Sequence, residues 1–170
     1  MNVDPRPVRQ PAAPVTVRRA CPTDAATVLD MLIELARYER SLDAVDLDET
    51  RLADLIARPD VIVLIADVGG EPAGYVSAAR QVKFWTGGEI TTLDDLFVRE
   101  GHRNRGIGET LMRNLAEMTA DDTSIIRWEI DPDNHAGSRF YERLGATIRT
   151  KLVASWAVPA TRANGEPVRS

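Results

Sequence analysis

One cysteine, two histidines and 5% aromatic residues are all that this 170-residue chain holds of the side chains that build disulfides, zinc sites and aromatic recognition surfaces. Cys21 alone cannot form an internal disulfide, and with two histidines it cannot complete a Cys/His zinc site. Long apolar runs are missing too: the longest, residues 61–66, has six residues where a membrane-spanning helix needs roughly 20. Basic residues are in deficit, 21 against 26 acidic for a net charge of -5 and a pI near 5.1, which argues against broad binding to nucleic-acid phosphates. Residues 1–14 carry Pro5, Pro7, Pro11 and Pro14 with Arg6 and Arg9 but no apolar stretch. They read as a flexible tail and not as a secretory signal. Residues 159–170 lack apolar periodicity and read as a second loose tail. The expectation is a cytoplasmic protein with no nucleic-acid, membrane or metal partner.

What is present is an ordinary globular composition, 44% hydrophobic and 28% charged, in about the length of one domain. Between the tails, over residues 15–158, the apolar pattern alternates between period 2 and period 3.6. Residues 15–20 read as a strand. A helix follows, capped by Thr23 or Asp24, with Val28, Leu29, Leu32, Leu35 and Ala36 on one face. A second helix covers residues 49–57. Residues 61–68 and 73–84 form a hairpin, residues 90–98 the next strand, and Ile107, Leu111, Leu115 and Met118 the apolar face of a third helix. Residues 124–130 read as a strand, 134–144 as a short helix and 146–158 as one or two closing strands. Three consecutive strands in the middle exclude a purely alternating doubly wound sheet and indicate a mixed α/β (α+β) domain.

The most informative segment is residues 98–108, Val-Arg-Glu-Gly-His-Arg-Asn-Arg-Gly-Ile-Gly, between a strand and an amphipathic helix. A helix N-terminus exposes unpaired N–H groups and a partial positive charge, and glycines let the backbone approach an anion closely. Arg99, Arg103, Arg105 and Arg113 against Glu100 and Glu109 give a local charge of +2 inside an acidic protein. The segment therefore reads as a polyanion cradle. It lacks the Lys-Ser/Thr of a Walker A loop, and Leu111 stands where a dinucleotide fingerprint needs its third glycine.

Arg103-x-x-Gly106-x-Gly108 resembles the cofactor motif of the GNAT family of N-acetyltransferases, and the element order is similar to theirs. Within that family, Glu34-Leu35-Ala36-Arg37-Tyr38-Glu39, Leu93-Asp94-Asp95-Leu96-Phe97-Val98 and Phe140-Tyr141-Glu142-Arg143-Leu144-Gly145-Ala146 resemble blocks of the spermidine/spermine-type diamine acetyltransferases. The resemblance implies a mostly antiparallel mixed sheet whose fourth and fifth strands splay apart around acetyl-CoA. On it, the backbone of Leu96, Phe97 and Val98 pairs with the pantetheine arm, and Arg103, Asn104, Arg105, Gly106, Ile107, Gly108 and Glu109 hold the diphosphate. It also implies a homodimer.

Acetyl transfer to an amine needs a group that removes the amine's proton and one that protonates the departing thiolate. Asp94 stands at the family's base position, and Tyr141 at that of its general acid. Asn134 falls where the family has a cofactor-contacting asparagine, although an asparagine there also serves as a helix cap. Regular alternation along a strand puts Asp94 and Asp95 on opposite faces, so that only one enters a given pocket. Asp95 is counted with Tyr38, Glu39 and Trp85 on the acceptor side; Trp85 packing on the sheet from its turn is the other reading. From Asp24 to Asp60, ten acidic residues stand against four arginines, a net of -6 that would attract a cationic acceptor. The expected activity is acetyl transfer from acetyl-CoA to a small cationic amine, a diamine, polyamine or thialysine-like acceptor, by direct attack in a ternary complex. A noncatalytic acyl-CoA sensor and a protein or peptide N-acetyltransferase are the alternatives. Cys21, before Pro22, is expected to be buried.

Overall fold

The computed structural model describes residues 13–120 and 123–157. The expected tails fall outside them, apart from residues 13 and 14. Two compact units divide the chain, Met1–Glu129 and Ile130–Ser170.

The first unit is a five-stranded sheet in the order β1 (Val15–Arg19), β2 (Val61–Val68), β3 (Glu71–Lys83), β4 (Gly88–Val98), β5 (Thr123–Arg127). The first four strands are antiparallel neighbours and β5 runs parallel to β4. Helices α1 (Ala25–Tyr38) and α2 (Glu49–Ile56) join β1 to β2, and α3 (Ile107–Thr119) joins β4 to β5. β2 is buried almost throughout, as its unbroken apolar run requires of a strand covered on both faces. On one face Val63, Ile65, Tyr75 and Phe97 pack with Ala25, Val28 and Met31 of α1 and with Leu52 and Ile56 of α2. α3 packs on β2, β3 and β4 and buries Ile107, Leu111, Met112 and Leu115. Met118, expected on that apolar face, is part of the exposed surface. α2 begins where Asp48 accepts a hydrogen bond from the Arg51 N–H at 2.8 Å.

β3 and β4 do not pair evenly. Counted from the hairpin tip, where Lys83 faces Gly88, pairing is regular as far as Ala78 opposite Leu93, and then Ser77 faces Asp95. Asp94 is the extra residue of a β-bulge. Since Ala78 and Ser77 point to opposite faces, so do Leu93 and Asp95, although they are two residues apart. Asp95 joins Tyr75 and Phe97 on the α1 face. Strict alternation, which predicts opposite faces for Asp94 and Asp95, does not apply at a bulge, and Asp94 stands exposed there.

The β4–β5 ladder ends at Thr92 opposite Arg127, and β4 runs on from Leu93 to Val98 with no β5 partner among the described residues. This is the splay that the family resemblance implies.

In the second unit α4 (His135–Arg143) is followed by an irregular stretch. The closing strands expected over residues 146–158 do not form in the described part, 146–157. A strand exists only against a partner edge. Here Leu152 and Trp156 are 99% and 88% exposed, so the apolar pattern packs on none of the described residues of its own unit. A second expectation also fails. Cys21 is exposed, because it lies in the turn after β1, where its Sγ lies 3.0 Å from Thr23 Oγ1 and 3.1 Å from Asp24 Oδ2. Asp24 precedes α1 as expected, but its carboxylate takes two hydrogen bonds from Arg18 at 2.8 Å and one from the Cys21 N–H instead of capping the helix.

Candidate active site

The anion cradle forms where the sequence indicates. After β4 the chain makes one 3-10 turn at Glu100–His102 and enters α3 through Gly106, whose φ of +79° lies in the left-handed region. Glycine adopts that conformation without strain and has no side chain with which to cap the helix. The first N–H groups of α3 consequently have neither a preceding carbonyl in the helix nor a capping oxygen, the state in which a helix N-terminus receives a phosphate. A Cβ at Gly106 would meet nothing within 4 Å, so the space beside the entry to α3 is open there. Asn104, at φ +59°, supplies the other left-handed residue of the loop.

The loop's arginines are not equivalent. Arg99 is paired with Glu34 at 3.0 Å, and Arg113 with Glu109 at 2.8 Å. Arg103 donates from Nε to the Val98 carbonyl at 2.9 Å, and its guanidinium lies 4.6 Å above the centre of the Tyr38 ring. Among the described residues, Arg105 is the one arginine of the four with no ion pair or ring partner. The cradle keeps unpaired backbone donors, one uncommitted cation and, beside it, the unpaired stretch of β4. These features fit an extended ligand carrying a diphosphate.

The same end of the unit carries the expected acceptor residues. Tyr38 ends α1 and is 68% exposed. Glu39 follows it at the C-cap. Arg103 also lies 5.9 Å from the Phe97 ring, which joins Tyr38 to β4. Asp95, two residues from Phe97, is half-buried, and its Oδ2 accepts hydrogen bonds from Tyr75 Oη and Ser77 Oγ, both at 3.1 Å. Ser77 Oγ also accepts from the Asp95 N–H at 3.1 Å, replacing the ladder bond interrupted by the bulge. Burial, and then the negative charge of Asp94, push the Asp95 carboxyl above its ordinary value, while the two hydroxyl donors pull it back. Tyr75, fully buried, has its phenol pushed up by burial and by Asp95, so it stays protonated and can only donate to the carboxylate.

Sequence reasoning missed Tyr75 and Ser77. Their hydroxyls lie on an apolar strand, and only the register connects them to Asp95. Regular counting from the hairpin tip places Asp94 opposite Ser77.

Trp85 lies elsewhere. It is 96% exposed in the β3–β4 turn, beyond Lys83, which itself stands about 20 Å along the strand from Ser77 at roughly 3.3 Å per residue. The acidic excess between Asp24 and Asp60 is also less free than its count suggests. Asp24 is held by Arg18, Glu34 by Arg99 and Asp60 by Arg58, so these carboxylates are matched by cations already in place.

In the second unit Asn134 is the N-cap of α4, its Oδ1 accepting from the Gly137 N–H at 2.8 Å. Tyr141 is half-buried, its ring edge-on to Phe140 with centroids 5.0 Å apart, and burial pushes its phenol above the ordinary value. The group is therefore a protonated donor at neutral pH. Among the described residues no cluster of three His, Cys, Asp or Glu is placed to hold a metal, and no helix is long and apolar enough to cross a membrane.

Comparison with known proteins bears on the family and the fold. The chain is 31% identical over 150 residues to the thialysine N-epsilon-acetyltransferase of Sus scrofa, covering 82% of this chain and 88% of that protein. It is 28% identical over 109 residues to the aminoglycoside N(6')-acetyltransferase type 1 of Klebsiella pneumoniae, covering 59% and 54% of the two chains. Among solved structures, an aminoglycoside acetyltransferase from an uncultured soil metagenomic sample superposes with a TM-score of 0.72 at 21% identity, over 87% of this chain and 99% of the other, a likeness of fold. Residues 27–146, which hold the cradle, the bulged strand and α4, match the Acetyltransferase (GNAT) family, and the chain belongs to that family as an N-acetyltransferase.

Proposed function

We propose that this enzyme transfers an acetyl group from acetyl-CoA to the primary amine of a small cationic acceptor, a diamine, polyamine or thialysine-like compound, by direct attack in a ternary complex. The observation that carries the reading is one of placement. The open cradle at Gly106, the unpaired stretch of β4 and the acidic and aromatic group of Asp94, Asp95, Glu39 and Tyr38 all stand at one end of the sheet. Acetyl-CoA would supply the activated acetyl thioester. The N–H groups at the start of α3 and Arg105 would hold its diphosphate, and the backbone of Leu96, Phe97 and Val98 its arm. Asp94, exposed at the bulge, would take a proton from the acceptor's ammonium group, through water because its side chain is short, leaving the neutral amine to attack the thioester carbonyl. Tyr141 would protonate the departing thiolate, and Asn134, whose oxygen caps α4, would offer its amide nitrogen to the cofactor.

The acceptor class is supported by the relatives, which are named for thialysine and for aminoglycosides, all amine-bearing molecules. A thiol-release assay with acetyl-CoA and putrescine, spermidine, thialysine, an aminoglycoside and short peptides tests it. Turnover of small amines is expected. Turnover of peptides alone would establish the protein-acetyltransferase alternative, and cofactor binding with no thiol release the sensor. The reading also carries a cytoplasmic homodimer, which sedimentation of the purified protein tests for assembly.

A further inference from the structure

Asp95, the half-buried carboxylate next to the bulge of β4, is held from one side. Two hydroxyls on β3 converge on the same oxygen, Oδ2, and Oδ1 takes no hydrogen bond from the described residues. Tyr75 is 0% exposed and belongs to the α1-side core, so its phenol has no rotational freedom with which to follow a moving carboxylate. Ser77 is locked reciprocally, donating to Oδ2 and accepting from the Asp95 N–H. Neither hydroxyl is needed to fill space. Phenylalanine and alanine would serve a core as well, and a buried hydroxyl is costly unless it is hydrogen-bonded.

We propose that Tyr75 and Ser77 are positioning residues that fix Asp95 by its Oδ2 and leave Oδ1 as a pre-set seat for the ammonium group of the acceptor. The inference rests on the small-amine reading above and adds to it two residues that touch neither substrate. A carboxylate held in one orientation before the acceptor arrives has no side-chain entropy left to lose on binding, so the benefit appears in acceptor affinity. The charged groups around it are Asp94 on its own strand, Glu39 at the end of α1, which acts on Tyr75, and Arg103 over the Phe97 ring. Hydroxyl donors favour the ionised form of Asp95 against burial and Asp94.

The test is diamine acetylation by Tyr75→Phe, Ser77→Ala and Ser77→Thr from pH 5 to 9, alongside wild type. Each lost hydroxyl is expected to raise the KM for the diamine about tenfold, the scale of one hydrogen bond to a charged group. The kcat and the KM for acetyl-CoA should stay near wild type. The acid limb of kcat/KM for the diamine should move to higher pH, since a carboxylate without its donors is protonated more easily. Ser77→Thr, which keeps the hydroxyl, should restore both. A general weakening of the fold would lower kcat and cofactor affinity together and leave the acid limb in place. If Tyr75→Phe does not fold, the alanine and threonine variants at Ser77 decide the matter alone. Variants that acetylate diamines with wild-type KM and pH profile overturn the clamp and leave the acceptor class standing. A wild-type enzyme that binds acetyl-CoA and acetylates no small amine overturns both.

Discussion

Tyr141 is the residue whose environment constrains its chemistry most directly. Burial keeps the phenol protonated, so it can give a proton at neutral pH and cannot serve as a base. Tyr141→Phe preserves the ring packing on Phe140 and removes only the hydroxyl. General acid catalysis is worth about 10² to 10⁴ in rate, so kcat in the thiol-release assay should fall by about that factor with the KM for acetyl-CoA unchanged. A kcat within twofold of wild type would remove Tyr141 from the mechanism. At this scale the sequence offers candidates where a residue type and a neighbouring motif coincide, as at Tyr38, Glu39, Asp94, Asp95 and Tyr141, and the structure brings the first four to the same end of the first unit. Tyr75 and Ser77 are not among those candidates, because their significance depends on which residue of β4 stands across from them. A bulge set by three-dimensional packing leaves no mark in the order of residues.

Two glycines govern the elements around the site, for different reasons. Gly106 turns the chain into α3 through the left-handed region, so Gly106→Ala should cost about 1 kcal/mol in stability and weaken acetyl-CoA binding, both readable by thermal melting and calorimetry. Gly74 does not need an unusual φ. A Cβ there would sit 2.5 Å from the Phe97 carbonyl oxygen, so β3 reaches β4 at this point only because the side chain is missing. Gly74→Ala should therefore cost more, about 2 kcal/mol by forcing the backbones apart, and disturb the β4 stretch that faces the splay. The elements themselves were largely legible, since α1, α2, α3 and the β2–β3 hairpin each carry a full apolar period. The segment 146–157 was not. Its pattern is that of a strand, but a strand's hydrogen bonds lie outside itself, and the described residues of its own unit supply no edge.

For the whole molecule, two carboxylates set opposing pH dependences of stability. Asp24, held low by its hydrogen bonds to Arg18, binds fewer protons folded than unfolded, so its contribution is present above about pH 4 and is lost as the pH falls. Asp95, pushed up by burial and by Asp94, binds more protons folded than unfolded, so stability declines as the pH rises through its folded value. Urea unfolding between pH 3 and 8 should show a maximum on the mildly acidic side. Asp95→Asn should flatten the decline above it, and Asp24→Asn the loss below it. The single extra residue at Asp94 matters on the same scale. Odd-numbered residues of β4 look toward α3 as far as Leu93 and toward α1 from Asp95 onward, so one surplus residue changes the strand's reading frame between two cores. Excising Asp94 would leave both cores in step. Excising Leu96 would force a choice between turning Phe97 out of the α1 layer and sliding Asp95 into the α3 layer, so the sheet tolerates a shorter β4 at one position and resists it two residues away.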